Sequence, residues 1–173
     1  MGGGASGLSV TIPVIMISNV DGALLRNDII AGNVTGFIGS KVGLFADDLG
    51  STKADVLMAR RFSNLLPLAQ SATEFNVATG AWVRNYGNQT QNNAELKVEI
   101  SLGGVPLFAD SAAINGLAPN DSIYVSLGTF SQAVYVAGYY TMTYTITTQN
   151  TDGDPNDNVI IADFMLDNAI YSY

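Results

Sequence analysis

Apolar residues occupy every second position in several stretches of the second half of the chain. In Ala94–Ser101, the apolar residues Leu96, Val98 and Ile100 alternate with charged residues. This period of two is typical of a strand with one buried face. The same alternation recurs with apolar residues at Ile123, Val125 and Leu127, and at Tyr140, Met142, Tyr144 and Ile146. Val159–Leu166 is apolar enough for a central strand.

Turn-forming residues separate these runs. They are Tyr86-Gly87-Asn88, Gly103-Gly104, Pro119-Asn120-Asp121 and the polar stretch 150–158. About seven strands in about a hundred residues, without helices between them, indicate two packed antiparallel sheets. The predicted fold class is therefore mainly β: an immunoglobulin-like antiparallel β-sandwich over residues 70–173.

The first part of the chain has a different pattern. Thr11–Ile17 is apolar without alternation, which suits a short strand that is covered on both faces. Asp21 is the predicted N-cap of a helix of about ten residues, with Val20 and Leu25 as a hydrophobic staple and Gly32 as the stop. Two more short strands are predicted, at Val34–Ile38 and Lys41–Phe45.

These patterns divide the chain into three segments. Residues 1–48 form a small partial α/β segment, and residues 70–173 form the sandwich. Residues 49–69 are rich in polar turn residues and are interpreted as a connector with a helical turn around Lys53–Arg60. Met1 followed by three glycines has the appearance of an internal start, with an export signal expected further upstream.

The composition excludes several classes of function. The net charge is −8 with seven Lys and Arg residues, which opposes binding to nucleic acid and leaves no basic face for an anionic membrane. The chain contains no His and no Cys, so His-dependent nucleophiles, common zinc sites, thiol chemistry and disulfides are absent. The apolar runs are too short for a membrane-spanning helix. Carboxylate chemistry and hard-cation binding remain.

An acidic loop supplies the candidate metal ligands. Asp152, Asp154, Asn156 and Asp157 offer oxygen atoms at short spacing, as a calcium site requires. The same residues also stabilise tight turns through their own backbone, which explains the loop without a metal. No other cofactor is predicted.

Other candidate residues have a structural interpretation. Asp47 and Asp48 could supply the two acids of glycoside hydrolysis, but adjacent residues in an extended segment point in opposite directions, which favours a solvated linker. Trp82 could stack on a ligand, although its place in a strand favours the core. Arg84 is expected on the outer face as a solvated charge. An exposed aromatic patch could include Tyr135, Tyr139, Tyr171 and Tyr173.

Two parts of the chain resemble known families. "IPVIMISNVDGALL" followed by "AGNV", within Leu8–Phe45, resembles the C-terminal half of a protease-associated domain. "WVRNYGN", "LAPNDS", "AGYYTMTYTI" and "TDGDPNDN" follow one another within Leu66–Tyr173. Their order resembles the cell-adhesion-related domain abbreviated CARDB, an immunoglobulin-like module of secreted and surface bacterial proteins.

The resemblances imply a non-catalytic interaction, adhesion or spacer module of a larger secreted or cell-surface bacterial protein, accessory in one arrangement to a secreted protease. Its expected partners are proteins, glycans or other domains of the parent chain, and its expected location is extracellular. One alternative is a structural subunit that assembles by β-strand addition through exposed strand edges, which would also produce homo-oligomers. The other is a calcium-dependent carbohydrate-binding module.

Overall fold

The computed structural model describes residues 17–34 and 39–168. The chain divides into two compact units, Met1–Ser40 and Lys41–Tyr173. The first unit contains the helix α1, Asn19–Ile30. The described part of the second unit contains β1 Leu49–Gly50, β2 Ser63–Leu65, β3 Val77–Asn85, β4 Ala94–Leu102, β5 Val105–Ile114, β6 Ser122–Phe130, β7 Gly138–Thr147 and β8 Val159–Asp167. Short 3-10 helices lie at Leu66–Leu68 and Pro155–Asp157.

The helix α1 begins earlier than the sequence predicts. Ser18 is the N-cap: its hydroxyl oxygen accepts a hydrogen bond from the Asp21 amide at 3.0 Å and donates one to the Asp21 carboxylate at 2.6 Å. Asp21 is therefore not the N-cap; it lies at the third helical position, where both its amide and its carboxylate bond the Ser18 hydroxyl. The predicted staple of Val20 and Leu25 is also wrong, since both residues lie inside the helix.

The end of α1 agrees with the prediction. Gly32 has a φ of 72°, and its amide donates to the Ile29 carbonyl at 3.1 Å. This left-handed residue confirms Gly32 as the stop. Residues 11–16 and 35–38 of the two predicted flanking strands lie outside the described residues, and the protease-associated resemblance stays a prediction.

The predicted strand at Lys41–Phe45 is wrong, because the structure has a turn there. The Leu44 amide donates to the Lys41 carbonyl at 3.0 Å. Gly43 has a φ of 77°, in the left-handed region that interrupts an extended strand. The apolar side chains suggested a strand, but the left-handed conformation of Gly43 turns the backbone.

The segment 49–69 contributes two strands to the sandwich. β1 pairs with β3, and β2 pairs with β8. The predicted helical turn at Lys53–Arg60 is wrong: the Asp55 amide closes a single turn to the Thr52 carbonyl at 2.9 Å, and Val56 then forms an isolated bridge with Ala81. These strands are too short to show alternation. As a division into domains, the boundaries at 48/49 and 69/70 stay predictions.

The second unit confirms the predicted fold class. Its three-stranded sheet has the order β1-β3-β6, and its five-stranded sheet has the order β2-β8-β7-β4-β5. All neighbours are antiparallel except β2 and β8. With β1, β3 and β6 in one sheet and β4, β7 and β8 in the other, the order corresponds to strands A, B, E and C, F, G of an immunoglobulin sandwich.

The core lies between the two sheets and contains an aromatic cluster. The rings of Tyr140 and Phe164 stack with centroids 4.8 Å apart, and Phe130 of the opposite sheet lies 6.2 Å from Tyr140. The other fully buried large side chains are Leu49, Val83, Leu96, Val98, Ile100, Ile114, Met142, Tyr144 and Leu166. The strands β4, β7 and β8 turn alternate residues inward, so the period of two in their sequence is the period of the core. Among the described residues, no helix combines the length and the apolar character needed to cross a bilayer.

Candidate functional site

An exposed aromatic pair lies on the outer face of the three-stranded sheet. Trp82 on β3 is directly opposite Tyr124 on β6, and their ring centroids are 5.6 Å apart. Trp82 is 50% exposed and Tyr124 is 38% exposed. The prediction that Trp82 is a core residue is therefore wrong. Its neighbours Ala81 and Val83 are buried, and the alternation of the strand places the side chain between them outside.

An open groove of about 360 Å³ lies beside Trp82, which lines it. Arg84 pairs with Ser122 on β6 and with Gly50 on β1, and the Trp82 amide donates to the Asp55 carbonyl at 2.9 Å. Sheet pairing thus collects groups from distant parts of the chain. The described residues that line the groove are Gly50, Asp55, Trp82, Arg84, Tyr86 and Ser122.

The polar groups of the groove are held in place by neighbouring side chains. Arg84 donates from Nη2 to Asn120 Oδ1 at 2.7 Å, and its guanidinium lies 5.2 Å from the centroid of the Tyr86 ring. The Asp55 carboxylate accepts from the Thr52 hydroxyl at 2.6 Å. Arg84 is exposed, as predicted. The groove therefore presents donors, an acceptor and aromatic faces in fixed positions.

Asn85 organises the turn that carries Tyr86. This side chain is fully buried, and its amide nitrogen donates to the carbonyls of Gln89 at 2.8 Å and Leu117 at 2.9 Å. Its oxygen accepts from the Gly87 amide at 2.9 Å. The motif "WVRNYGN" contains this asparagine, but its role was not predicted. An asparagine two residues before a glycine at a strand end was the available signal.

Lys41 forms an ion cluster next to the groove. Its Nζ atom lies 3.0 Å from Asp48 Oδ1, 3.3 Å from Asp154 Oδ2 and 2.5 Å from Asp157 Oδ2. The same atom lies 4.2 Å from the centroid of the Tyr86 ring. The cluster joins the residues before β1 to the acidic loop and supports one wall of the groove.

The ionisation of the cluster follows from burial and charge. Burial lowers the pKa of Lys41, but the hydrogen bonds and charges of Asp157 and Asp48 outweigh it and leave the pKa raised. Burial raises the pKa of Asp48 and that of Asp157, and Lys41 offsets only part of this rise. The Asn156 and Lys41 hydrogen bonds lower the pKa of Asp154. Lys41 is therefore a firmly protonated cation at neutral pH.

Several oxygen atoms of the predicted calcium loop are engaged within the protein, whereas Asp157 Oδ1 is buried without a hydrogen-bond partner among the described residues. Asp152 accepts from the Leu49 amide and from the Asp154 amide, both at 2.9 Å. Asp154 also accepts from the Asn156 side chain at 3.0 Å, and Asp157 binds Lys41. In the part of the chain that the structure describes, no group of three or more acidic side chains is arranged to hold a metal. Calcium at these four loop positions stays a prediction.

Asp47 and Asp48 do not act as a pair. Asp47 Oδ1 accepts from the side chains of Gln91 at 2.9 Å and Asn150 at 3.2 Å, whereas Asp48 is fully buried against Lys41. Each acid thus has separate partners, as expected for neighbouring extended residues. The interpretation of Asp48 as part of a solvated linker is wrong, because Lys41 neutralises it in the interior.

The four candidate tyrosines do not form one described patch. Tyr135 is buried, and its hydroxyl donates to the Phe75 carbonyl at 2.7 Å. Tyr139 is exposed and packs edge-on against Phe62 with centroids 6.0 Å apart. Positions 171 and 173 lie outside the described residues. Tyr135 is therefore a core residue rather than a surface contact.

Comparisons with known proteins find solved structures of low sequence identity and with TM-scores below 0.5. No family model and no curated protein matches the chain. The solution NMR structure of a CARDB domain from Pyrococcus furiosus is 17% identical with a TM-score of 0.47, covering 72% of this chain and 99% of that one. A crystal structure of the same domain in complex with di-metal ions is 15% identical with a TM-score of 0.47, covering 76% and 99%. A β-glucuronidase from Parabacteroides merdae is 14% identical with a TM-score of 0.37, covering 65% and 13%.

Proposed function

We propose that this chain is a non-catalytic recognition module that binds glycans in the groove beside Trp82 and Tyr124. The observation that carries the proposal is the half-exposed Trp82 side chain next to oriented polar groups. Exposing a large aromatic side chain forgoes the stabilisation that burial would provide, so such residues often mark contact sites. A sugar ring has apolar C–H faces that can stack on an aromatic ring and hydroxyls that need hydrogen-bonding partners.

The polar lining suits an uncharged ligand. Arg84 supplies donors, Asp55 supplies an acceptor, and Ser122 supplies both. One positive and one negative side chain face the same open space, so neither an anionic nor a cationic ligand would be favoured throughout the groove. Neutral oligosaccharides, whose hydroxyls both donate and accept, satisfy this set of groups.

Binding without turnover is the form of recognition proposed. Glycoside hydrolysis uses two carboxyl groups on opposite sides of the scissile bond. Among the described residues that line the groove, Asp55 is the one carboxylate. In this proposal the chain is an adhesion or spacer module of a larger secreted or cell-surface bacterial protein, and attachment to a secreted protease is one such arrangement.

The single tryptophan allows a direct binding experiment. Trp82 is the only tryptophan in the sequence, so its fluorescence reports on the groove alone. We expect cello-, chito-, xylo- or manno-oligosaccharides to shift this emission to shorter wavelength and to protect it from acrylamide quenching. Titrations with calcium and with a chelator would test whether the binding depends on calcium.

A matched pair of tyrosine variants provides the control. Tyr124→Ala removes the partner of Trp82 and should weaken binding at least about tenfold. Tyr139→Ala removes a tyrosine of similar exposure on the other sheet and should leave binding unchanged. If no oligosaccharide changes the emission and no insoluble polysaccharide retains the protein, the glycan proposal is wrong.

A further inference from the structure

The short strand β2 is an edge of the five-stranded sheet. It pairs in parallel with β8, where Ser63 lies opposite Met165 and Leu65 lies opposite Asp167. No strand of the described residues pairs with its other side. Alternate residues of a strand direct their N–H and C=O groups to opposite edges, so part of the β2 backbone faces outward. Such an edge can accept one further strand.

A long depression follows this edge. Two adjoining depressions of about 320 Å³ and 270 Å³ share the lining residues Arg60, Asn64, Glu74 and Phe75. A third, of about 250 Å³, shares Arg60 with both and continues past Leu57. A row of adjoining depressions suits an extended chain better than a compact ligand.

Apolar side chains lie along this depression. Leu68 is 69% exposed at one end, and Leu57 and Met58 are exposed at the other. Phe75 packs against the core and lines the middle. Side chains of an added strand alternate in direction, so every second one could contact this apolar surface.

Two arginines line the same edge. Arg60 and Arg61 are adjacent and exposed, and they are two of only seven cationic residues in a chain of net charge −8. The ion pairs among the described residues involve Lys41 and Lys97 and neither of these arginines. The nearby Glu74 carboxylate accepts from the Gln70 amide at 2.8 Å. Both guanidinium groups are therefore available to carboxylates of a partner.

We propose that the β2 edge binds an extended acidic peptide by strand addition. The peptide backbone would pair with the outward groups of Ser63–Leu65, apolar side chains would contact Phe75 and Leu68, and carboxylates would receive hydrogen bonds from Arg60 and Arg61. Charge complementarity selects the acidic character of the partner. This site is separate from the glycan groove, which is on the other sheet.

The test uses a labelled peptide that alternates glutamate and valine over about six residues, measured by fluorescence anisotropy with the full 173-residue chain. Saturable binding that weakens with added salt is expected. The double variant Arg60→Glu and Arg61→Glu should weaken binding at least about tenfold. The control, Arg26→Glu with Lys97→Glu, changes the net charge equally and should leave the affinity within about twofold.

Two further probes separate strand addition from charge attraction alone. A peptide with an N-methyl group on every internal residue cannot donate backbone hydrogen bonds along either edge, and it should bind at least about tenfold more weakly. A lysine-valine peptide should not bind. Absence of binding by the acidic peptide at millimolar concentration would overturn the proposal and leave the two arginines as protection of an open edge. Equal weakening by both double variants, or full binding by the N-methylated peptide, would also overturn it.

Discussion

The outer faces of the two sheets differ in character although their inner faces form one core. The three-stranded sheet presents Trp82 and Tyr124 beside a groove. On the five-stranded sheet, β4 and β7 present polar and charged groups: Thr143 of β7 lies opposite Glu99 of β4, and Glu99 pairs with Lys97 at 3.3 Å. The neighbouring strand β8 adds the exposed aliphatic side chains of Val159 and Ile161. Packing sets the inward positions of both sheets, whereas the outward positions are free to carry function.

The largest loss of stability is expected from a change in the core that the two sheets share. Phe130→Ala should lower the free energy of unfolding by about 3–5 kcal/mol, because it opens a cavity among Tyr140, Phe164 and Tyr135. Urea unfolding followed by Trp82 emission and by far-UV circular dichroism measures this. The two signals should give one transition, and separate midpoints would show that the sheets unfold independently.

The second largest loss of stability is expected at high pH. Burial raises the pKa of Tyr144 to about 12, so this phenol ionises in the unfolded chain before it does in the folded one. Its stabilisation is present below about pH 10 and should decline by about 2–3 kcal/mol as the pH rises towards 12. The raised pKa of Lys41 acts in the same direction, since a protonated Lys41 favours the folded state. Unfolding by urea at a series of pH values measures the decline.

The control for this alkaline loss is Tyr144→Phe. It removes the hydrogen bond that the Tyr144 hydroxyl donates to the Leu57 carbonyl and the one that it accepts from the Gly80 amide, and should cost about 1–3 kcal/mol at neutral pH. Because phenylalanine does not ionise, the variant should then lose less stability than the native chain at high pH. An equal alkaline loss in both proteins would contradict the assignment to Tyr144.

The ion cluster below the groove should respond to loss of its cation. Lys41→Met should cost about 2 kcal/mol, less than for a fully buried pair because Lys41 keeps some exposure. The cost should be smaller at pH 4 than at pH 7, since Asp48 and Asp157 can then take up protons. Lys97→Met, in the exposed pair with Glu99, is the control and should change the free energy of unfolding by less than about 0.5 kcal/mol. Equal costs for both lysines would show that the Lys41 cluster stabilises the fold no more than an exposed ion pair does.

Trp82→Ala should remove part of the proposed glycan site while leaving the stability of the fold nearly unchanged. Half of the side chain is exposed, so the variant should keep the free energy of unfolding within about 1 kcal/mol of the native value. Thermal unfolding followed by circular dichroism checks this without the lost fluorophore. A cost near that of Phe130→Ala would mean that Trp82 is a structural residue after all.

The smallest effect is expected on the outer face of the five-stranded sheet. Thr143→Val keeps the shape and the β propensity of the side chain, and it should change the free energy of unfolding by about 0.5 kcal/mol or less. Oligosaccharide binding, followed by Trp82 emission, should be unchanged. Loss of binding would place the recognition surface on this sheet rather than on the three-stranded one.

Long alternating runs were predictable, and short or irregular ones were not. The predicted strand at Ala94–Ser101 is β4 within one residue, because strict alternation recurs across it. β1 and β2 contain two and three residues, too few for a periodic signal, and they depend on pairing with β3 and β8. The turn at Lys41–Phe45 was mistaken for a strand, because its form depends on Gly43 and on distant carboxylates.

The residues that line the groove were also only partly predictable from the sequence. Alternation identified Arg84 as an outward residue, and the same register would have placed Trp82 outward as well. The general preference of tryptophan for buried sites led to the wrong prediction. Asp55 and Ser122 gave no signal, because only the pairing of β3 with its neighbours brings them to one groove.

By itself, the sequence determined that inward residues recur with a period of two and that the chain folds as two packed sheets, since burial of apolar side chains depends on local spacing. Tertiary structure decided which outward side chains meet. Trp82 meets Tyr124 and Asp55 only after the strands pair. Likewise, Lys41 meets carboxylates more than a hundred residues away only after the loops close around it. Long-range pairing, not local pattern, creates both of these sites.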